Sequence, residues 1–423
     1  MIKEKDKRIV VTGIGLISPL GKSTTSFWSG LNLGKTAVKR ISNFRTHNLT
    51  GYPKYSAAVN NFNIARYLGK DRWNCYGRET KFALAASKLA LNDGNLKYPI
   101  PENQCNKIGI AMGVLFGTID LCYQYEEDLR LLGPKHVSPM LFANTSPNVT
   151  ASQISIRFNI RGFNSTFGST VASSLQSIYM ASSMIKDHGY TYAIAGGSQE
   201  ISNIEFFNLG YQKCLAGLNT TKKGSRGVAC PYDAKRNGLI PGEGACVFLL
   251  EELSHARKRK AKIYCEIKGY SENNSVAKHS GRIVCSDSKY LHDVMMNAVN
   301  DAKIKTDDVD LIMGSANSTV RLDRMEGMAI EKLCSQNACT PYVTSIKGNI
   351  GDTFGASGAF NVAAAIGSFK TGKIPPVVNL KNLDPKIRIN AIKKSFLKRN
   401  VSDIIINSFG FKGINASLIV GKI

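Results

Sequence analysis

Apolar residues in this chain follow two periods. Short continuous apolar runs alternate with longer stretches in which apolar residues recur every three to four positions. The first pattern predicts strands covered on both faces, and the second predicts helices with one buried stripe. Residues 8–15 (RIVVTGIG) form the first predicted strand. The glycines of GIGLISPLG predict a packing turn. They lack GxGxxG spacing, and SPLG interrupts the helix that a nucleotide loop would need. A helix is predicted at 79–93 (ETKFALAASKLALND), a strand at 107–112 and a helix at 119–131. Next, a small polar turn at 169–174 opens an apolar helix, which leads into a short strand closed by Gly196 and Gly197. A strand at 244–250 (GACVFLL) ends the first half.

The second half starts near Ala261 with a strand, KIYCEIKGY, and repeats the logic. It predicts a helix at 288–302, a strand at 309–313, a loop at 314–319 and a helix at 324–333. A glycine-rich segment at 347–358, an apolar helix at 359–370 and a strand pair at 404–407 and 416–420 complete it. Strand–helix alternation in both halves predicts an α/β protein with an internal duplication, residues 1–255 and 256–423. No linker rich in Pro, Gly or Ser separates the halves, so they are expected to pack as one body.

Composition narrows the partners. The chain has 423 residues, 43% of them hydrophobic, and a net charge of +24. A surface this basic favours acidic partners. The excess reads as spread along the chain in short clusters such as residues 256–260 (ARKRK), with no aromatic–basic repeat for base stacking, so no nucleic-acid partner is expected. The ten cysteines form no CxxC pair, so no metal site is expected, and none of the motifs calls for a cofactor. No apolar run approaches the ~20 residues of a membrane span, and the charged N-terminus runs into a strand. No membrane partner is expected, and free thiols fit a cytoplasmic location.

The most informative position is Val171. A side chain in the turn before an apolar helix sits at the positive end of the helix dipole, where a thiolate or oxyanion is stabilised. Valine can neither attack nor transfer a proton. The framework for a nucleophile is present and the reacting atom is missing.

Four segments resemble the β-ketoacyl synthase family of the thiolase superfamily, in the family's order and over nearly the whole chain. They are RIVVTGIGLISPLG, PYDAKRNGLIPGEGACVFLLEE (231–252), KGNIGD (347–352) followed by GASGA, and NSFGFKGINASLIV (407–420). The resemblance implies a thiolase-like fold: duplicated βαβαβ halves in five αβαβα layers. It also implies a cysteine that takes the acyl group from an acyl carrier protein, and two histidines that stabilise the oxyanion formed as malonyl-carrier protein loses carbon dioxide. Here Val171 stands at the cysteine position, Ser315 at the first histidine and Asp352 at the second. Lys347, Asp233, Arg236 and Glu243 are retained as scaffold, with Asp233 and Arg236 expected to form a buried ion pair. In the gate loop, Phe411 is kept and Lys412 replaces a small residue.

Family members without these catalytic groups resemble chain-length factors of type II polyketide synthases. The resemblance therefore implies a non-catalytic subunit. It would pair with a catalytic ketosynthase as a heterodimer, receive an acyl carrier protein and shape the tunnel that holds the growing polyketide. Tunnel residues would be Phe116 and, on the following helix, Thr118, Leu121 and Tyr125, the last three spaced to share one face. The same face reads equally well as dimer core. The alternative is a ketosynthase-fold acyltransferase with relocated groups, such as Ser169, Ser173 or Cys122. A third reading is a scaffold whose tunnel is filled.

Overall fold

The computed structural model describes residues 7–41, 54–217, 227–275, 287–337, 339–410 and 413–423. Eleven strands form the main sheet. In chain order they are β1 (Ile9–Ile17), β2 (Ile108–Gly113), β3 (Asn164–Phe167), β4 (Tyr192–Gln199), β5 (Gly244–Glu252), β6 (Cys265–Asn274), β7 (Val309–Met313), β8 (Tyr342–Thr344), β9 (Asn390–Ala391), β10 (Asp403–Phe409) and β11 (Ile414–Gly421). Their spatial order is β9-β8-β7-β10-β11-β6-β1-β5-β4-β2-β3.

The duplication is visible in that order. Numbering the strands within each half, the first half runs 3-2-4-5-1, and the second runs 3-2-4-5-1 with β9 added at its outer edge. Pairing directions match too: the two outer pairs of each five are parallel and the two inner pairs antiparallel. The halves join through a short antiparallel ladder, Ile9 to Ile267, Val10 to Glu266 and Val11 to Cys265.

Strand alternation explains the layers. On β5, Cys246, Phe248 and Leu250 point into a central core, while Ala245, Val247 and Leu249 point into a second core. That second core holds Phe82 and Leu91 of the helix Arg78–Asp93 and Ile154 and Phe158 of the helix Val149–Phe158. On β10, Ile404 and Ile406 face the central core, and Ile405 faces a third core with the helix Ser288–Asp301. The central core is filled by two helices, Ser173–His188 and Ser357–Thr371. Five layers result. A strand with both faces covered needs no polar side, which is why these strands read as unbroken apolar runs.

The helix Ser357–Thr371 is buried from Ser357 to Phe369. Its small residues at 359, 363, 364 and 365 let the neighbouring layers approach, and Phe360 packs tilted against Phe27 at 5.8 Å. Burying one such phenylalanine contributes about 1.5–3 kcal/mol.

Two predicted boundaries need correction. β1 continues through Gly13 and Gly15 to Ile17, so the expected packing turn is strand. A Cβ at Gly13 would lie 2.3 Å from the Ala90 carbonyl, and one at Gly15 2.0 Å from that of Ala86. The glycines let the helix Arg78–Asp93 lie directly on the strand. Likewise β4 does not close at Gly196 and Gly197 but runs on to Gln199, paired with β5.

Candidate functional site

Two turns of the same design meet in the middle of the molecule. A 3-10 turn, Thr170–Ala172, leads into the helix Ser173–His188, and its counterpart, Phe354–Ala356, leads into the helix Ser357–Thr371. Thr170 and Phe354 both carry positive φ, 63° and 38°. Such backbone is sparsely populated by non-glycine residues and clusters at sites that must aim one side chain. The residue aimed by the first turn is Val171.

Val171 is 2% exposed and packs in an apolar cluster with Ile41, Phe206, Leu209, Leu215, Leu239 and Phe354. Gly410 closes the other side. A Cβ there would stand 2.6 Å from Thr170 Oγ1 and 3.2 Å from Val171 Cβ. The end of β10 therefore presses against the valine.

Ser315 lies in the loop after β7 and is fully buried. Its hydroxyl donates to the Phe409 carbonyl at 3.1 Å and accepts from the Phe409 N–H at 2.8 Å. Its own N–H donates to Glu326 Oε1 at 2.8 Å. Both hydroxyl functions are spent on β10, one residue from the glycine that touches Val171.

Asp352 is 1% exposed. Its Oδ1 accepts from Ser357 Oγ at 2.9 Å and from the Phe354 N–H at 3.1 Å. Its Oδ2 accepts from Asn317 Nδ2 at 2.8 Å. Lys347 Nζ stands 3.1 Å from Oδ1, off the hydrogen-bonding line, so that contact is coulombic. The carboxylate is thus neutralised and saturated. The structure brings the three positions together through shared neighbours: Phe354 joins Asp352 to Val171, and Phe409–Gly410 joins Ser315 to Val171.

The cluster around Val171 is apolar, and the nearby Asp352 carboxylate is held by Asn317, Ser357 and the Phe354 N–H. His255 contacts Glu251 and His292 contacts Asp293, both away from this cluster. Ser173 donates its hydroxyl to the Thr170 carbonyl at 2.8 Å. Cys122 donates to the Thr145 carbonyl at 3.2 Å, and burial raises its thiol above the ordinary value. Among the described residues, the hydrogen bonds of Ser173 and Cys122 go to backbone carbonyls and not to a base.

The family profiles decide the assignment. "Beta-ketoacyl synthase, N-terminal domain" matches residues 6–256 and "Beta-ketoacyl synthase, C-terminal domain" matches residues 264–381. The chain belongs to the β-ketoacyl synthase family. It is 30% identical to 3-oxoacyl-(acyl-carrier-protein) synthase 2 of Rhizobium meliloti, over 98% of this chain and 99% of that one. It is 27% identical to the "Putative polyketide beta-ketoacyl synthase 1" of Streptomyces cyaneus, over 98% of both. The fold superposes on "The ishigamide ketosynthase/chain length factor" with a TM-score of 0.88 at 23% identity, covering 99% of this chain and 100% of that one.

The residues retained from the β-ketoacyl synthase motifs make buried polar contacts, and the expected Asp233–Arg236 ion pair needs correction. Arg236 does not pair with the carboxylate of Asp233. It binds the Asp233 carbonyl at 2.9 Å, Asp384 Oδ2 at 2.8 Å and, by charge, Asp323 at 3.6 Å. Asp233 instead accepts the backbone N–H groups of Lys235, Lys381 and Asn382. A carboxylate two to three residues from its own loop's N–H groups makes an Asx turn, which competes with the ion pair. Glu243 receives Arg78 at 2.7 Å and the Val59 N–H at 2.8 Å.

Among the expected tunnel residues, Thr118 is buried and donates to the Asn144 carbonyl at 2.8 Å, and Leu121 is buried. Tyr125 is half-buried with its ring 5.5 Å from Phe142, while Phe116 is exposed. The gate residues Phe411 and Lys412 lie outside the described residues.

Sequence reasoning read Glu326 as scaffold but missed the two polar networks that buried acids form. In the first, the fully buried Asp323 and Glu326 order the loop carrying Ser315. Asp323 accepts the N–H groups of Tyr232, Asn317 and Ser318, and burial pushes it up to about 7. Glu326 accepts the Tyr232 hydroxyl at 2.8 Å. The second network holds Glu79, Glu200, Glu205 and Asp120, beside the helix Asn203–Tyr211 that supplies Phe206 to the Val171 cluster. Burial, then like-charged neighbours, raises Glu79 well above the carboxylate range; the same causes act on Glu205. Burial brings Glu200 to about 7. The Gln199 amide, hydrogen-bonded to Glu205 at 3.2 Å, was the one sequence signal that polar groups enter this interior.

Proposed function

We propose that this chain is the non-catalytic partner of a catalytic ketosynthase. It would act as a chain-length factor that shapes the polyketide tunnel during decarboxylative condensation of malonyl units on an acyl carrier protein. One observation carries the reading. The three positions that perform chemistry in the family hold valine, serine and aspartate, and each is tied into the interior by its own contacts. A carboxylate at Asp352 has the wrong sign to stabilise the negative charge that develops on loss of carbon dioxide.

Two further features support pairing. The helix Ile119–Leu132 buries Leu121 yet exposes Tyr123, Leu129, Leu131 and Leu132, and the next helix exposes Met140 and Phe142. Apolar faces of this extent mark interaction surfaces. A solved structure of similar fold is named as a ketosynthase/chain length factor, and another as an acyl-carrier protein in complex with its ketosynthase. The basic surface suits an acidic carrier.

The test is co-expression with an intact ketosynthase and a carrier protein. A one-to-one complex that makes malonyl-dependent product only when both synthase-fold chains are present supports the reading. Product from either chain alone refutes it.

A further inference from the structure

Two cysteines that play no part in the site above touch one another. Cys334 lies in the last turn of the helix Val320–Asn337, and Cys339 lies just before β8. Both are free thiols, and they share a hydrogen bond. The Cys339 thiol also faces the Leu333 carbonyl at 3.9 Å. Cys105, Cys122, Cys214 and Cys230 contact oxygen atoms instead.

The contact is a product of the fold. Residues five apart on a continuous helix point about 140° away from each other, so a CxxxxC pair within one helix does not meet. Here the helix ends at Asn337, and β8 begins at Tyr342, paired with Leu311 of β7. On its inner face the helix is anchored by Ala329, Ile330 and Leu333 in the third core, and Cys334 packs against that core. The two sulfurs are thus held together by elements that are each fixed independently. Their access differs, since Cys334 is half-buried and Cys339 is buried. An accessible thiol backed by a second, resolving thiol is the arrangement of a redox-responsive pair. Burial raises both thiols, Cys334 to about 12, so the pair answers sustained oxidation and not a brief pulse.

We infer that Cys334 and Cys339 are a modification site, which a disulfide oxidant of the glutathione class closes to a reversible disulfide. The Cys334 thiolate attacks one sulfur of oxidised glutathione. That S–S bond breaks, and the departing glutathione thiolate takes up the proton that Cys334 lost. The Cys339 thiolate then attacks the Cys334 sulfur and displaces the second glutathione, which takes up the proton from Cys339. Two protein thiols are oxidised, and one glutathione disulfide is reduced to two thiols. In a reducing compartment the pair rests as the dithiol. Closure pins the end of the helix that carries Asp323 and Glu326 to the segment entering β8. Those two acids order the loop of Ser315, so the site lies on the same element as the buried network while remaining outside the Val171 cluster.

The test incubates the folded full chain with oxidised glutathione, quenches free thiols with N-ethylmaleimide, and reads intact mass and unreduced peptide maps. The expected product has lost two hydrogens, carries a Cys334–Cys339 cross-link, keeps its circular dichroism spectrum and reverts with dithiothreitol. The rate should rise roughly tenfold per pH unit between pH 7 and pH 9, because the attacking species is the thiolate. Cys339→Ser should stop at a glutathione adduct on Cys334, while Cys214→Ser should close like the parent chain. A glutathione adduct that persists on Cys334 of the parent chain would overturn the proposal. So would cross-links to other cysteines, no reaction at either residue, or closure only as the dichroism signal is lost. The readout does not depend on product formation, so it leaves the chain-length-factor reading separately testable.

Discussion

Removing Asp352 alone should be more damaging than removing Lys347 and Asp352 together. Their side chains are 4% and 0% exposed, with Nζ 3.1 Å from Oδ1. Breaking a buried ion pair by deleting one partner costs about 3–5 kcal/mol, because the surviving charge is left uncompensated. The two single changes are not equivalent. Lys347→Met leaves the carboxylate with Asn317 Nδ2, Ser357 Oγ and the Phe354 N–H, three donors that hold a negative charge. Its cost belongs at the low end, about 3 kcal/mol. Asp352→Asn leaves a buried ammonium with no hydrogen-bond acceptor, so its cost belongs at the upper end, about 5 kcal/mol. Lys347→Met/Asp352→Asn removes both charges and should cost less than Asp352→Asn alone. The assay is urea denaturation of the four proteins followed by circular dichroism, closed as a double-mutant cycle. Losses that add within about 0.5 kcal/mol would refute the pairing argument. With it would go the claim that the second histidine position is occupied by a structural carboxylate.

Other expectations follow from the same networks. Glu200 is raised to about 7, so the folded state holds its proton more tightly than the unfolded state. Its stabilising contribution is full below the unfolded carboxylate value and is lost as pH rises through about 7. The melting temperature should fall from pH 5 to pH 8, and Glu200→Gln should flatten that slope; an unchanged slope counts against the assignment. Tyr232→Phe removes one of the two donors to Glu326 Oε2, leaving the Ala316 N–H, and should cost about 1–2 kcal/mol by denaturant titration. Tyr125→Ala should lengthen the product of the paired complex by mass spectrometry, and unchanged length in an intact heterodimer would show that Tyr125 is interface only.

Where the chain repeats a simple period, its sequence was enough. The helix Arg78–Asp93 and strand Val309–Met313 were legible because one shows a helical stripe and the other a short apolar run. The helix Val320–Asn337 is longer than its predicted core because its added ends carry no apolar stripe; the first of them holds Asp323. The helices Thr24–Asn32, Val149–Phe158 and Asn203–Tyr211 went unpredicted, since Ser, Thr and Asn dilute their apolar positions. At the site, Val171, Ser315 and Asp352 were found by motif order. Asn317, Glu79 and Glu200 were not, because tertiary contacts alone bring Asn317 to Asp352 and Glu79 to Glu200.

The central claim is that this chain does no condensation chemistry, and it is tested most directly by carbon dioxide release from malonyl-carrier protein with the purified chain alone. The account predicts background release, rising only when a catalytic ketosynthase is added. Turnover by the chain alone would contradict the reading of Val171, Ser315 and Asp352.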